Sequence, residues 1–342
     1  MASEFKKVTL SDVAGRVGVS AITVSRALRT PDKVSVRLRE EIASAIADLG
    51  YVPDPAARAL ASSRTDVIGV VIPSVTNNVF SDVLLGMYTA IEETPFYIQL
   101  GNTRYSALKE ENLLRLFLRQ KPAGLIVTGI DQSETSQQML EAAPCPVVQI
   151  MEINENPIDL MIGFSHYEAA RMATRHMAEQ GYRKPAFVGA RMDPRSQRRF
   201  RGFRDAAAEV GLFSEKRVIT TATSSSVSLG AQLFGELIGQ APEADAVFCN
   251  NDDLALGVLF EAQRRRIAVP ERLGICGFND FEMMAAAEPP VTSVRTFRNE
   301  MGRRAVEMLV EAIDAPGPRE RQVIDLGYEI RKRRSTEGRT AA

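Results

Sequence analysis

The sequence of 342 residues predicts an α/β protein in which a three-helix N-terminal head precedes a two-lobed core of parallel sheets. Apolar residues recur at helical spacing through about the first fifty positions, and this periodicity predicts the helices of the head. From Val67 onward, short β-rich runs such as VIGVVIP and AGLIVTG alternate with helical patterns, as is typical of parallel sheets covered by helices. The pattern changes near Phe164, so we expect two such lobes.

The first two helices of the head are predicted in the stretch TLSDVAGRVGVSAITVSRAL, residues 9–28. Thr9 and Asp12 fit a capping box that begins the first helix, and Ser20 can cap the second. Gly18 lies between them, where a sharp turn needs a left-handed residue. This arrangement is a helix-turn-helix, whose second helix can enter the major groove of DNA. A helical hairpin packed on a larger domain is the alternative.

A third helix is predicted from Ser35 to Leu49, because its apolar residues keep helical spacing and Gly50 follows it. The next stretch, YVPDPAARALASSRTD, combines prolines and small residues with the helix-forming run AARALA. A run this short is not stable as an isolated helix, since helix nucleation is unfavourable. We therefore expect a linker that becomes helical only when another surface packs against it.

Composition and charge limit the classes of function. Hydrophobic residues make up 45% of the chain, which is enough to build the cores of two or three units. The net charge of −1 argues against a general polyanion binder, but residues 1–65 carry ten Lys and Arg against seven Asp and Glu. No apolar run is long enough for a signal or membrane-spanning segment, so we expect a cytoplasmic protein without membrane contact.

Residues for metal binding or covalent catalysis are not grouped in any known pattern. The three cysteines lie far apart, and the two histidines, His166 and His176, are not spaced as metal ligands or members of a triad. We expect no metal, no cofactor and no enzymatic activity, and we expect His176 on a helix surface. The alternative is a sugar-acid enzyme or binding protein that carries a helical head.

Several stretches resemble one known family when they are taken together. They are TLSDVAGRVGVSAITVSRAL, VS at 34–35, GYVPDPAARALA, IGVVIPSVTNNVF, RFRGF (199–203), NDDLALG (251–257), GFND (277–280) and PPVTSVR (289–295). Their order and spacing resemble the lactose-repressor (LacI/GalR) family of bacterial transcription regulators. Within that family, IPSVTNNVFSDVLLGM, VGARMDPR and FCNNDDLALGVLFEAQR are most similar to the gluconate-utilisation repressors.

The resemblance implies a repressor that binds a palindromic operator in double-stranded DNA as a homodimer and is released by a small-molecule effector. It also implies a hinge helix and a core like the periplasmic sugar-binding proteins. The expected domains are a helix-turn-helix domain (1–52), a hinge helix and linker (53–65), an effector-binding and dimerisation core (66–333) and a tail (334–342). Within the core, lobe 1 is expected at about 66–164 and 293–322, and lobe 2 at about 165–292 and 323–333. The tail lacks a leucine heptad, so we expect a dimer and not a tetramer.

The resemblance also implies which residues contact DNA. Arg26, Ala21 and Ile22 match positions that read base edges, and Arg26 can pair with guanine O6 and N7. Leu60, in the hinge, would insert into the minor groove at the centre of the operator and kink the DNA. The residues placed for phosphate contacts are Ser20, Thr23 and Ser25.

A second group of residues is expected to bind the effector. Positions that match the family's pocket are Asn78, Phe80, Arg199, Asp252 and Asn279, and adjacent strand ends add Glu152, Arg191 and Arg195. Asn279 stands where many relatives carry Asp, which puts recognition of a neutral sugar in doubt. The three arginines suit a carboxylate or phosphate, so we expect a small polyhydroxylated acid, with gluconate or its 6-phosphate as the candidates. A neutral sugar or a purine is the alternative effector.

Overall fold

The computed structural model of the protein describes residues 8–29, 31–52, 64–315, 317 and 319–337. The chain divides into two compact units, Met1–Thr65 and Asp66–Ala342. Most of the expected hinge segment, including Leu60, lies outside the described residues, so the hinge helix stays a prediction. Within the described residues, no helix combines the length and the hydropathy needed to cross a membrane.

The first unit contains three helices. They are α1 (Leu10–Val17), α2 (Ala21–Arg29) and α3 (Val36–Leu49), and a short 3₁₀ turn lies at Pro31–Lys33. The expected capping box begins α1: the Asp12 amide donates to Thr9 Oγ1 (3.4 Å) and the Thr9 amide donates to Asp12 Oδ2 (2.8 Å). Gly18, with φ 78°, and Gly50, with φ 62°, end α1 and α3 in the left-handed conformation that glycine adopts without strain.

The first lobe of the second unit is built on a six-stranded, all-parallel sheet. Its strands are β1 (Val67–Ile72), β2 (Tyr97–Asn102), β3 (Gly124–Thr128), β4 (Val147–Ile150), β5 (Leu160–Gly163) and β11 (Gln322–Asp325), in the spatial order β11-β5-β4-β3-β1-β2. The helices of this lobe are α4 (Asn78–Ile91), α5 (Ala107–Arg119), α6 (Glu134–Glu141) and α12 (Arg298–Asp314). Val70 and Ile72 pack in the apolar cluster of α4 and α12, and Val71 packs in that of α5 and α6. Both faces of the sheet are covered, which explains the continuous apolar runs of its strands.

The second lobe repeats this architecture. Its strands are β6 (Pro185–Gly189), β7 (Val218–Thr220), β8 (Ala246–Cys249), β9 (Gly274–Asn279), β10 (Thr292–Thr296) and β12 (Tyr328–Arg331), in the order β12-β10-β9-β8-β6-β7. Its helices are α7 (His166–Glu179), α8 (Pro194–Glu209), α9 (Val227–Gln240), α10 (Asp252–Arg264) and α11 (Glu282–Ala286). β12 runs antiparallel to its neighbour β10, and the other strands of this sheet pair in parallel.

The chain passes between the lobes at positions that differ from those expected. β10 belongs to the second sheet, so the return to the first lobe falls after Thr296 and not at 292/293. β11 pairs with β5 of the first sheet, so the last crossing falls after Asp325 and not at 322/323. Both expected boundaries are wrong for the same reason, because an apolar strand pattern does not tell which of two sheets a strand joins.

The tail was expected at 334–342, and the position expected for its beginning is also wrong. Ser335 and Thr336 are fully buried in the second lobe. Ser335 Oγ donates to the carbonyl of Ile275 (2.6 Å) and accepts from the amide of Thr292 (2.8 Å). Ser335 and Thr336 are therefore part of the lobe, because their hydroxyl groups are satisfied by residues far away in the sequence.

His176 is buried against this C-terminal turn and does not lie on the helix surface as expected. Its side chain is 3% exposed, and its Nε2 lies 2.9 Å from Thr336 Oγ1. Burial, and to a smaller extent the charge of Lys332, lowers the pKa of His176 to about 4. The imidazole is therefore neutral in the folded protein at neutral pH.

We expect the wild type to lose stability relative to His176→Gln as the pH falls from about 6.5 to about 4. An unfolded chain protonates its histidine near pH 6.5, whereas the buried imidazole resists protonation until about pH 4, so acid favours the unfolded state. Glutamine keeps a hydrogen-bonding group but does not titrate. The difference in unfolding free energy should reach up to about 3 kcal/mol in denaturant titrations across this pH range. A difference that does not change with pH would contradict a buried neutral His176.

Candidate functional site

The second helix of the head has one buried face and one exposed face, as a recognition helix does. Its N-terminus is capped by Ser20, whose Oγ accepts from the amide of Thr23 (3.2 Å). Val24 is fully buried in the core of the head, whereas Ile22 is 71% exposed and Arg26 is exposed. Ile22 is therefore not held in the core, and an exposed large apolar side chain beside an arginine suits contact with bases.

The other predicted DNA-contacting residues of this helix are partly covered. Ala21, Thr23 and Ser25 are half-buried, and Ala21 packs against the core of the head. Ser20 is exposed, although its hydroxyl also caps the helix and lies 2.9 Å from that of Thr23. Their roles at the DNA stay predictions, and Leu60 lies outside the described residues.

A pocket of about 40 Å³ lies between the lobes, at the carboxyl ends of strands from both sheets. Five of the eight residues expected to bind the effector line it, namely Phe80, Arg191, Arg195, Arg199 and Asn279. Phe80 comes from α4 in the first lobe, and the other four come from the second lobe. The structure therefore brings together side chains that are separated by up to 199 positions in the sequence, Phe80 to Asn279.

The remaining three expected residues do not line this pocket. Asn78 is the exposed first residue of α4. Glu152 is buried, and its Oε1 accepts from the amides of Ile153 (3.3 Å) and His166 (3.4 Å). Asp252 is fully buried, and both of its oxygens accept hydrogen bonds within the second lobe: Oδ1 from Ser293 Oγ (2.6 Å) and Oδ2 from the amide of Phe281 (2.8 Å).

Sequence reasoning missed several residues that line the pocket. They include Asn77, Tyr105, Ser196, Asn251, Asp253 and Phe281. Two of them were detectable as helix caps: the side chain of Asn77 caps α4 and that of Asn251 caps α10. A capping residue lies at the mouth of a strand-to-helix turn, whereas the residue after it begins the helix. This offset of one residue explains why Asn77 lines the pocket and Asn78 does not.

Arg199 is a buried cation in the wall of the pocket. Its guanidinium lies 3.9 Å from the centre of the Phe278 ring and donates to the carbonyl of Asn250. Its Nε donates to Nδ1 of His166 (3.1 Å), a neutral imidazole because burial holds the pKa of His166 well below its usual value. Burial lowers the pKa of Arg199 to about 10, while the charge of Asp193 opposes this shift, so Arg199 remains protonated at neutral pH.

The other two arginines of the pocket contact aromatic rings of the first lobe. The guanidinium of Arg191 lies 3.9 Å from the centre of the Tyr105 ring, and that of Arg195 lies 5.6 Å from the centre of the Phe80 ring. Nη2 of Arg195 is 3.6 Å from Asp193 Oδ2, whereas its buried Nη1 makes no hydrogen bond with any described residue. A buried donor without an acceptor is unfavourable, and a ligand oxygen would satisfy it.

A fourth arginine joins the two lobes beside the pocket. Arg198 of α8 donates through both terminal nitrogens to Asp131, which follows β3 in the first lobe, at 2.6 and 2.7 Å. Its Nε is 3.5 Å from Oε2 of Glu152, which follows β4. The charge of Arg198 thus bridges two strand ends of the opposite lobe, although burial still raises the pKa of Glu152 to about 7.

A fifth arginine makes a similar bridge in the opposite direction. Arg298, at the start of α12 in the first lobe, donates to the backbone carbonyl of Asn279 at the end of β9 in the second lobe. It is also held by Asp82 of α4, with nitrogen-to-oxygen distances of 2.7 and 2.9 Å. The conformation of Asn279, a residue of the pocket wall, is therefore fixed from the first lobe.

The described residues contain no cluster of three or more His, Cys, Asp or Glu side chains that could bind a metal.

Two family models match the chain. The model described as "Bacterial regulatory proteins, lacI family" matches residues 9–54, and the one described as "Periplasmic binding protein-like domain" matches residues 174–336.

Proteins that are similar over most of the chain are transcriptional regulators. The HTH-type transcriptional regulator GntR of Pseudomonas aeruginosa is 39% identical over 328 residues, which is 96% of this chain and 95% of that protein. A crystal structure of a LacI-family transcriptional regulator from Silicibacter pomeroyi has a TM-score of 0.87 and 33% identity, and it covers 97% of this chain and 100% of its own. The transcription regulator GntR from Chromobacterium violaceum has a TM-score of 0.76 and 36% identity, with coverages of 80% and 100%.

The chain belongs to the lacI family of bacterial regulatory proteins. The predicted fold class, with a helix-turn-helix head and a core like a periplasmic binding protein, is confirmed. The prediction of a transcriptional regulator and not an enzyme is confirmed as well, because its relatives across the whole chain are such regulators.

We expect Asp131→Asn to weaken the binding of a ligand that contacts both walls of the pocket. Asparagine cannot form the paired charge-assisted bonds with Arg198, so the lobes are held together less strongly. Asp131 is partly exposed, and an ion pair of this kind contributes enough for a loss of affinity of about two- to fivefold. Calorimetry with gluconate measures this loss. The control is Glu134→Gln, which removes the charge of an exposed side chain in the same lobe. Equal affinities of the two variants would contradict a role of the bridge in ligand binding.

Proposed function

We propose that this regulator represses genes for the use of sugar acids in the bacterial cytoplasm. Its head binds a palindromic operator as one half of a homodimer, and a sugar acid, gluconate or its 6-phosphate, binds between the lobes and releases the protein from DNA. The observation that carries the choice of an acid is the concentration of arginines in the pocket wall.

The electrostatics of the pocket favour an anion. The described residues that line it include three arginines and two carboxylates, Asp193 and Asp253. Asp193 also caps α8 and lies near Arg195, so part of its charge is already compensated. Arg199 keeps its charge in a desolvated position, where a carboxylate or phosphate of the ligand would be strongly attracted. Asn279 adds an uncharged amide at the position where an acid would repel such a ligand.

The remaining wall of the pocket suits the carbon atoms and hydroxyl groups next to the acid group of such a ligand. Phe80 offers a ring face for carbon atoms, and Asn77, Ser196 and Asn251 offer donors and acceptors for hydroxyl groups. Because the wall comes from both lobes, a bound ligand favours the arrangement that brings them together. A preference of a few kcal/mol for one arrangement is enough to change operator affinity by about tenfold to a hundredfold.

The proposal for the DNA includes the head and the hinge. Arg26 reads a guanine base edge, Ile22 and Ala21 make apolar contacts with bases in the major groove, and Leu60 of the hinge inserts into the minor groove at the central step of the operator. Two heads are needed because a single three-helix unit makes too few contacts for strong selectivity.

We expect Arg26→Ala to reduce operator binding by about 1–3 kcal/mol and to relax the preference at one base pair in each half-site. The cause is the loss of paired hydrogen bonds to guanine, which non-specific DNA does not provide. Gel-shift titrations at one fixed salt concentration with operator and with random DNA measure both affinities. Arg16→Ala, an exposed arginine of α1, is the control. Unchanged affinity of Arg26→Ala for both DNAs would contradict the assignment of α2 as the recognition helix.

We expect calorimetry to show that gluconate or its 6-phosphate binds more tightly than glucose or ribose. Arg199→Ala should remove most of the acid affinity, a loss of at least about tenfold, because a charge-assisted bond in a desolvated site disappears. Arg199 is buried, so Arg195→Gln serves as a second variant that removes a charge without emptying the core. Arg201→Ala, on the exposed side of the same helix, is the control. Tighter binding of a neutral sugar, or full acid affinity in both pocket variants, would refute the acid effector.

A further inference from the structure

A larger cavity lies beside the effector pocket, on the side of the first lobe. Its volume is about 250 Å³, and its walls come from the ends of β1, β2 and β3 and the start of α5. It shares three residues with the effector pocket, Tyr105, Asp193 and Arg195. The effector pocket itself has about 40 Å³, which is room for about three water molecules and too little for a whole sugar acid. We call the larger space the side cavity.

The two cavities differ in the charged residues that line them. The effector pocket contains Arg191 and Arg199, which the side cavity lacks among the described residues that line it, and Arg195 belongs to both. The carboxyl groups that line the side cavity are Glu110, Asp131 and Asp193. Asp131 is paired with Arg198, and Asp193 lies near Arg195, so an acidic head group is attracted more strongly to the effector pocket than to the side cavity.

The wall of the side cavity is suited to hydroxyl groups. Thr103, Ser106 and Thr128 line it with hydroxyls, and Gln132 lines it with an amide. Thr128 Oγ1 donates to the carbonyl of Val71 (3.0 Å) and Gln132 Nε2 donates to the carbonyls of Thr128 and Gly129, so these two side chains offer their oxygens as acceptors. Burial raises the pKa of Glu110 to about 7, against a hydrogen bond with Ser136 that lowers it, so near neutral pH this carboxyl group both donates and accepts hydrogen bonds.

Tyr105 and Arg195 line both cavities. The hydroxyl of Tyr105 accepts from Nδ2 of Asn77 (3.2 Å), and its ring lies under the guanidinium of Arg191. Arg195 has the buried Nη1 that makes no hydrogen bond with any described residue. A chain of ligand hydroxyls that passes from one cavity to the other would give this nitrogen an acceptor.

We propose that the side cavity is a subsite for the uncharged polyhydroxy chain of the effector, whose carboxylate is bound by the arginines of the neighbouring pocket. The inference rests on the proposed acid effector and selects between its two candidates. A free terminal hydroxyl fits among the carboxyl groups of the side cavity, whereas a terminal phosphate is repelled by the charged form of Glu110. Gluconate, and not its 6-phosphate, is then the preferred ligand, and shorter sugar acids leave the subsite partly empty.

The test is calorimetry on the full chain with gluconate, 6-phosphogluconate and threonate, a shorter acid of the same type. For the wild type we expect gluconate to bind at least about fivefold more tightly than either of the other two. Glu110→Lys makes the side cavity cationic, and it should improve the affinity ratio of 6-phosphogluconate to gluconate by about tenfold or more. Glu141→Lys has the same change in net charge at an exposed position of α6 and should leave this ratio unchanged. Glu110→Gln, which removes charge with little change of shape, should move the ratio in the same direction by a smaller factor.

The outcomes distinguish a wrong subsite from a wrong choice of effector. If acids bind but the wild type prefers 6-phosphogluconate or threonate, or if neither Glu110 variant changes the ratio relative to Glu141→Lys, the subsite is wrong and the acid effector stands. If no acid binds the wild type at all, the acid effector is wrong and the subsite is overturned with it. Thermal melting of each variant verifies that it is folded, and Glu110→Gln decides the matter if Glu110→Lys does not fold.

Discussion

The arrangement of the second unit depends on guanidinium groups that reach from one lobe to acceptors in the other. Arg198 extends from the second lobe to Asp131, and Arg298 extends from the first lobe to the carbonyl of Asn279. Apolar packing is non-directional and would tolerate many angles between two covered sheets, whereas a planar guanidinium accepts few. The crossing bonds therefore define one relative position of the lobes, and with it the shape of the pocket between them.

These bonds are also of a strength that suits a switch. Asp131 is partly exposed, so the ion pair with Arg198 contributes modestly and is screened by salt. The stack of Arg191 on Tyr105 is a contact of similar strength. Two lobes joined by several weak, directional contacts can exchange between a few discrete arrangements without loss of their own cores, which is the property that a ligand-driven regulator needs.

Features that depend on neighbouring residues could be predicted from the sequence, whereas contacts between distant segments could not. The capping box of Thr9 follows from a local sequence pattern, and it is observed. Ile22 is exposed and Val24 is buried, which agrees with the base-reading position that the family resemblance implies for Ile22. The stack of Tyr105 on Arg191 could not be predicted, because each residue lies in a loop and their meeting depends on how two sheets are placed. Ser335 was misjudged for a related reason, since short polar residues at a chain end are typical of a tail unless remote strands supply partners.

The burial of this C-terminal turn has a consequence for how the protein is made. The second lobe needs β10, β12 and the turn with Ser335 and Thr336, all of which are synthesised after more than 290 other residues. On the ribosome the head, with its local contacts, can fold early, while the sheet of the second lobe must wait for its last strands. In a newly made chain the head is therefore folded before the second lobe is complete. For a short time during each round of translation, a nascent repressor has its DNA-reading surface but no means of responding to metabolism.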